Sequence, residues 1–319
     1  MWMTLYVLFL CILVLFCFLY FRGSGKESFR MTYIYELSVV AQFKNEAHIL
    51  KEWLDHYLSE GVQHFYLIND GSTDNFLDVL KPYLETGCVT LQQSLGRQKQ
   101  IDNYNYYYLS ICKKKSRWVL VCDLDEFMYS QSDGTIVDYL RTLPSHVGQI
   151  YVPWKIFGSN GILRQPDHVV PNFYRRNDYN RDEGLQGISF IDGYKRSPCK
   201  CIVRTSVLAK FWIHYAILKT QSTEICSDNN EIFQSTTFPT SKAFQRIDET
   251  ILQNSNLHLN HYILQSRDWF QRIKTTRHSA IQPVNVRTMD YFDRFDEHSN
   301  EYEDYGLLEK KKRLKIYKN

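Results

Sequence analysis

Apolar and polar positions follow two periods along this chain, and the switches between them mark out its elements. YELSVVAQF from Tyr35 is rich in β-branched and apolar residues and predicts a strand. NEAHILKEWLDHYLSEG from Asn45 then sets Ile49, Trp53, Tyr57 and Leu58 at helical spacing and stops at Gly61. HFYLIND predicts a second strand, GSTD a turn and NFLDVLKPYLETG a helix. CVTLQQ, RQKQIDNYNYYYLSICKK and RWVLVCDLDEF continue as strand, helix and fourth strand. Strands alternating with helices at this spacing predict βαβ units, hence an α/β fold whose mainly parallel sheet carries helices on both faces.

The second half is less regular. GQIYVPWKIFGSNG predicts a strand and turn, and SPCKCIVRTSVLAKFWIHYAI strand-rich material. SRDWFQRIKTTRHSA predicts a helix capped by Ser266, with Trp269, Phe270 and Ile273 on one side. No internal repeat divides the chain, so residues 33–319 are expected to form one domain.

Residues 2–21, WMTLYVLFLCILVLFCFLYF, hold no charge, Gly or Pro. At about 1.5 Å per residue such a run spans a hydrocarbon core, so 1–22 is expected to be a single-pass membrane anchor and 23–32 a linker. A cleaved signal peptide fits less well, because no basic segment precedes the run and no small-residue cleavage pattern ends it. The basic flank, Arg22, Lys26 and Arg30, follows the helix and points to a cytoplasmic domain by the positive-inside rule. An anchored enzyme of the secretory pathway would carry that flank on the other side, and the choice between lumen and cytoplasmic face stays open. The cysteines beyond the anchor permit disulfides without demanding them, and no Asn-x-Ser/Thr acceptor is present.

Composition narrows the class. With 319 residues, 44% hydrophobic and 15% aromatic, the chain can bury a large core and is not disordered. The net charge of +3 is spread along it, which excludes a dedicated nucleic-acid binder. Only EKKKRLKIYKN from Glu309 concentrates basic residues, as expected of a solvated tail or helix end.

The chemistry gathers at three strand ends, where apolar residues give way to AQFKNE, NDGSTD and DLDEF. In parallel sheets ligands bind beyond the carboxyl ends of strands. Asp70 and Asp74 suit a turn and a helix cap, or contacts to a base or ribose. Strand alternation sends Asp123 and Asp125 to one side and Glu126 to the other. Two carboxylates on one side need a cation, and Mg²⁺ or Mn²⁺ shared with substrate phosphates would satisfy them.

The ordered set KNE, HY, NDGSTD, RQKQ and WVLVCDLDEF resembles glycosyltransferases of the nucleotide-sugar-binding A-type fold, related to family 2 and most of all to family 92. WKIFGSNG, KCIVR followed by His214, and NHYILQSRDWFQRIKTTR look like the distal motifs of that group. The resemblance implies a membrane-anchored enzyme that transfers a sugar, with inversion, from a nucleoside diphosphate sugar to a hydroxyl on a glycan, protein or lipid. It further implies Asp123 and Asp125 as the metal and diphosphate motif, with His261 and His214 as further metal positions. Gln42, Asn45, Glu46 and Asp70 would hold the nucleoside, and Lys99 and Gln100 would approach the donor. The resemblance implies Lys where Gln265 stands and Gly where His278 stands, and if that Lys contacts phosphate in relatives, donor binding here is altered or carried by Lys274 and Arg277.

The residues themselves leave the general base open between Asp192 and Glu126. Trp154, Phe157 and Trp212 could stack on a sugar or belong to the core. A non-catalytic sugar-binding or assembly protein of the same fold is the alternative. A nucleotidyltransferase ranks last, because AQFKNEAH after the first strand lacks a glycine-rich phosphate loop.

Overall fold

A computed structural model describes residues 32–180, 189–191, 194–219, 222–230, 244–277 and 287–315. The predicted anchor, most of the linker, Asp192 and His278 lie outside these residues. Among the described residues no helix is long and apolar enough to cross a membrane.

Strand β1 (Tyr35–Phe43) pairs in parallel on both edges, with β2 (His64–Asn69) and with β4 (Ser116–Val121), while β3 (Val89–Gln93) extends the sheet beyond β2. A strand with two neighbours and both faces covered keeps a near-continuous apolar run instead of an alternation. Helix α1 (Ala47–Ser59) buries Ile49, Leu50, Trp53, Leu54 and Tyr57. Leu58, expected on the same stripe, is 39% exposed. With α2 (Phe76–Glu85), α1 packs on Leu37, Val39 and Leu120. The opposite face is covered by Gln100–Asn103, Tyr104–Tyr108 and Leu109–Lys115, one helical segment, α3, whose middle turn is π-helical. Its Tyr104, Tyr108 and Cys112 pack with Val40, Val119 and Val121.

The predicted fourth strand is two strands. β4 stops at Val121, residues 122–125 turn, and β5 (Glu126–Ser130) begins. Helix α4 (Ile136–Thr142), β6 (Val147–Ile156), β7 (Arg175–Arg176), β8 (Ser189–Ile191) and β9 (Tyr194–Arg204) follow. Then come β10 (Leu208–Phe211), β11 (Ala216–Leu218), β12 (Thr223–Cys226), β13 (Phe244–Arg246), α5 (Glu249–Asn254) and β14 (Leu257–His261). The main sheet runs β3-β2-β1-β4-β9-β6-β14-β5. Beyond β4 it is mixed rather than mainly parallel, since β9 is antiparallel to both β4 and β6, and β5 to β14. β4 lies mid-sheet and β5 at the far edge, so a single turn can join them only if the sheet curls back. The result is a mixed α/β fold with a curled central sheet.

Helix α1 secures that turn from behind. Trp53 Nε1 donates to the carbonyls of Asp123 and Glu126 at 3.1 Å each, and the Tyr57 hydroxyl donates to the Glu126 carbonyl at 3.0 Å. Buried carbonyls that leave a strand ladder require such partners. Ser266 caps α6 (Arg267–Arg272) as expected, but the helix is shorter than its pattern suggests and passes into a 3₁₀ turn at Lys274–Thr276. Helices α7 (Met289–His298) and α8 (Gly306–Arg313) complete the layer. The basic run in α8 is only partly solvated. Lys310 is buried and donates to Glu60 at 2.6 Å and to the Ser130 and Gly134 carbonyls at 2.9 Å each. Cys88, Cys112, Cys122, Cys199, Cys201 and Cys226 are free thiols.

Candidate active site

A cavity of about 620 Å³ collects the three strand ends. Gln42 and Glu46 reach it from β1, Asp70 from β2, and Asp123 and Asp125 from the turn after β4. His214, His261, Lys274 and Arg277 enter from the second half.

The loops after β1 and β2 are stitched together. Asn45, with its backbone at φ +51°, accepts the Thr73 amide on Oδ1 at 2.7 Å and donates its own amide to Ser72 Oγ at 2.9 Å. Asp74 accepts the Ala47 amide at 2.8 Å, so it caps α1 from the neighbouring loop instead of opening α2. Arg277 donates to Glu46 at 2.8 Å and to the Asn45 carbonyl at 3.1 Å. Asn45 thus shapes the loop without lining the cavity. Gln42 accepts from Asn103 at 2.7 Å.

Each aspartate of the turn holds a buried lysine. Lys200 donates to Asp123 at 2.8 Å, and Gln100 adds a bond to the other Asp123 oxygen at 3.2 Å. Lys274 donates to Asp125, whose second oxygen lies 3.5 Å from His261 Nε2. Burial alone would raise Asp125, but Lys274 and then His261 outweigh it and hold the carboxyl well below the usual range. Both aspartates face the cavity and Leu124 is core, as alternation predicted. The cause is the turn, however, and not a continuing strand.

Glu126 does not fit the role of base. It is fully buried, does not line the cavity, and turns back to accept the Asp123 amide at 2.9 Å, 3.6 Å from Lys200. Burial pushes it up to about 8 against the pull of Lys200. It positions the turn and cannot reach an acceptor as a base. Lys99 also falls outside, half-exposed and paired with Asp102 at 2.9 Å. Gln265 is buried and accepts from His48 at 2.8 Å and Gln165 at 3.1 Å, away from the cavity, whereas Lys274 and Arg277 line it. Of the predicted aromatic platforms, Trp154 and Trp212 line the cavity and Phe157 is core.

A divalent ion fits here only in part. The 3.5 Å between Asp125 Oδ1 and His261 Nε2 is long for a hydrogen bond but suits two ligands about 2.1 Å from one ion. Among the described residues no three His, Cys, Asp or Glu side chains converge on one point. The four-residue set Asp123, Asp125, His261 and His214 is therefore not assembled. The residues suit a cation that takes its other ligands from a bound diphosphate.

Lys200 was not assigned from sequence, although a charge inside CKCIV, an otherwise apolar strand, signals a buried cation in need of a carboxylate. Arg97, Arg287, Tyr291 and Phe295 also line the cavity, and no local pattern marks them.

Family comparison agrees with the site. The profile of glycosyltransferase family 92 matches residues 36–298, and the chain belongs to that family. A rice protein, glycosyltransferase family 92 protein Os08g0121900, is 22% identical over 143 residues, covering 44% of this chain and 24% of its own length. Galactan beta-1,4-galactosyltransferase GALS2 of Arabidopsis thaliana is 25% identical over 107 residues, covering 30% and 20%. The matches thus span a quarter or less of these relatives. Among solved structures, S. aureus TarS 1-349 in complex with UDP-GlcNAc aligns over 54% of this chain and 46% of its own, at 16% identity and a TM-score of 0.33. Mannosyltransferase PcManGT from Pyrobaculum calidifontis, in complex with GDP-Man and Mn²⁺, aligns over 38% and 36%, at 17% identity and a TM-score of 0.29.

Proposed function

We propose that this enzyme transfers a sugar from a nucleoside diphosphate donor to an acceptor hydroxyl, inverting the anomeric carbon, while anchored to a membrane by residues 2–21. The observation that carries the reading is the pair Asp123 and Asp125 at the mouth of a curled sheet, facing a cavity between buried Lys200 and Lys274. Gln42, Glu46 and Asp70, from the stitched loops, form the nucleoside side. Lys274 and Arg277 face the diphosphate. Their charges are fixed in place by Asp125 and Glu46, so no reorganisation is needed as charge moves to the leaving group. Asp125 and His261 would hold a Mn²⁺ or Mg²⁺ ion shared with the donor, which when bound neutralises negative charge on the diphosphate. Trp154 and Trp212 offer flat apolar faces for a sugar. The galactosyltransferase relative supports a glycan acceptor ahead of protein or lipid.

A thermal-shift series with nucleoside diphosphates, with and without Mn²⁺, tests the reading. A ligand at a hundred times its Kd adds about 2.7 kcal/mol of apparent stability. The wild type should respond to one nucleotide class, more strongly with Mn²⁺, and Asp125→Asn should lose most of that response while remaining folded. An equal response from Asp125→Asn would remove the diphosphate site. No response of the wild type to any nucleotide would favour a fold-sharing binding protein.

A further inference from the structure

Resting on that glycosyltransferase reading, we infer that His214 is the catalytic base that takes the acceptor proton. His214 Nδ1 lies 3.0 Å from the carbonyl oxygen of Cys199. A carbonyl only accepts, so Nδ1 carries the ring proton and Nε2 carries the lone pair. The residue lines the cavity, and Nε2 has no other partner among the described residues. The ring meets Trp154 edge-on, with centroids 5.4 Å apart, and the same indole lies 4.2 Å from His261. Both imidazoles thus touch one indole, His261 on the side of Asp125, where the leaving diphosphate is assigned, and His214 beside the Cys199 carbonyl.

The other carboxylates of the cavity are engaged or misplaced. Glu46 is held by Arg277, Asp123 by Lys200 and Asp125 by Lys274. Asp70 follows β2, two strands removed from β4 in the sheet, on the nucleoside side. Lys200 also donates to the carbonyl of Ile213 at 3.3 Å, which places a fixed positive charge beside His214.

In the step, the acceptor O–H gives its proton to Nε2 as the oxygen bonds to the anomeric carbon. The bond from that carbon to the diphosphate oxygen breaks, and its electron pair leaves with the nucleoside diphosphate. The imidazolium, unfavourable beside Lys200, then returns its proton to solvent.

His214→Asn separates base from scaffold, because its amide nitrogen can still donate to the Cys199 carbonyl while no basic nitrogen remains. With a nucleotide sugar that the wild type consumes, transfer or hydrolysis should fall by about 10²- to 10⁴-fold in kcat. The KM for the donor and the thermal shift with the nucleoside diphosphate should not change, and added imidazole should restore part of the rate to His214→Ala. Turnover by His214→Asn within tenfold of wild type would overturn the assignment and leave only a structural role. A loss confined to donor affinity, or no rescue by imidazole, would overturn it in favour of a donor or metal contact. A wild type that consumes no nucleotide sugar would instead overturn the glycosyltransferase reading itself.

Discussion

The halves of the chain before and after the Asp123–Asp125 turn build the same cavity by different means. Before it, the contacts are short in sequence: Asn45 to Thr73 spans 28 residues and Ala47 to Asp74 spans 27. After it, the bonds that complete the site are long, with Lys274 reaching Asp125 over 149 residues and Arg277 reaching Glu46 over 231. The first half is a frame whose two loops are hydrogen-bonded to each other. The second half supplies the cations, and the frame leaves carboxylates unpaired without them. The difference separates shape, set locally, from charge balance, set globally.

The sharpest way to break that division is to remove a cation. Lys200→Ala leaves Asp123 without its counter-charge beside a buried, protonated Glu126, and should cost about 3 kcal/mol in urea unfolding. A loss under 1 kcal/mol would mean that water, not Lys200, balances the turn.

Next in size is a pH effect at Glu126, raised to about 8 from an ordinary 4.5, first by burial. Below pH 4.5 the carboxyl is protonated in both states. Between 4.5 and 8 the unfolded chain releases the proton while the fold keeps it, so stability falls as pH rises. Glu126→Gln has no proton to lose. Its stability relative to wild type should rise steadily between pH 5 and 8, and parallel pH profiles would contradict the assignment.

In the frame, Asp74→Ala should cost about 1 kcal/mol, the usual worth of a helix cap, and should loosen α1 rather than α2. Hydrogen exchange resolves the two, and faster exchange in α2 alone would refute the cross-loop cap. The smallest effect is expected from Lys99→Ala, an exposed pair with Asp102, at about 0.5 kcal/mol or less and with donor affinity unchanged.

What could be read from sequence follows the same division. The βαβ half was legible because each element buries a face of its own neighbour, so Ile49, Trp53 and Tyr57 appear at local spacing. The paired aspartates at a strand end were legible as an ordered motif, yet the turn that presents them was not. It depends on Trp53 and Tyr57, some 70 residues earlier, accepting the role of carbonyl partners. Lys200 was missed for a related reason. Its position on a strand predicts a face, whereas its carboxylate partner Asp123 lies 77 residues away, while Glu126, weighed as a base, turns back onto the Asp123 amide. Leu58 shows the converse error, a residue on the right stripe that no neighbour covers.

The turn between β4 and β5 also sets a clock. Among the described residues β5 has its ladder only with β14, where Glu126 stands opposite His261. Pairing so distant in sequence is entropically late in folding. Until β14 arrives, β5 is an open strand edge beside a half-built frame, the kind of surface on which nascent chains aggregate or recruit chaperones. On this ordering the cation that balances Asp125 is expected to arrive after the βαβ frame, because Lys274 meets it across 149 residues.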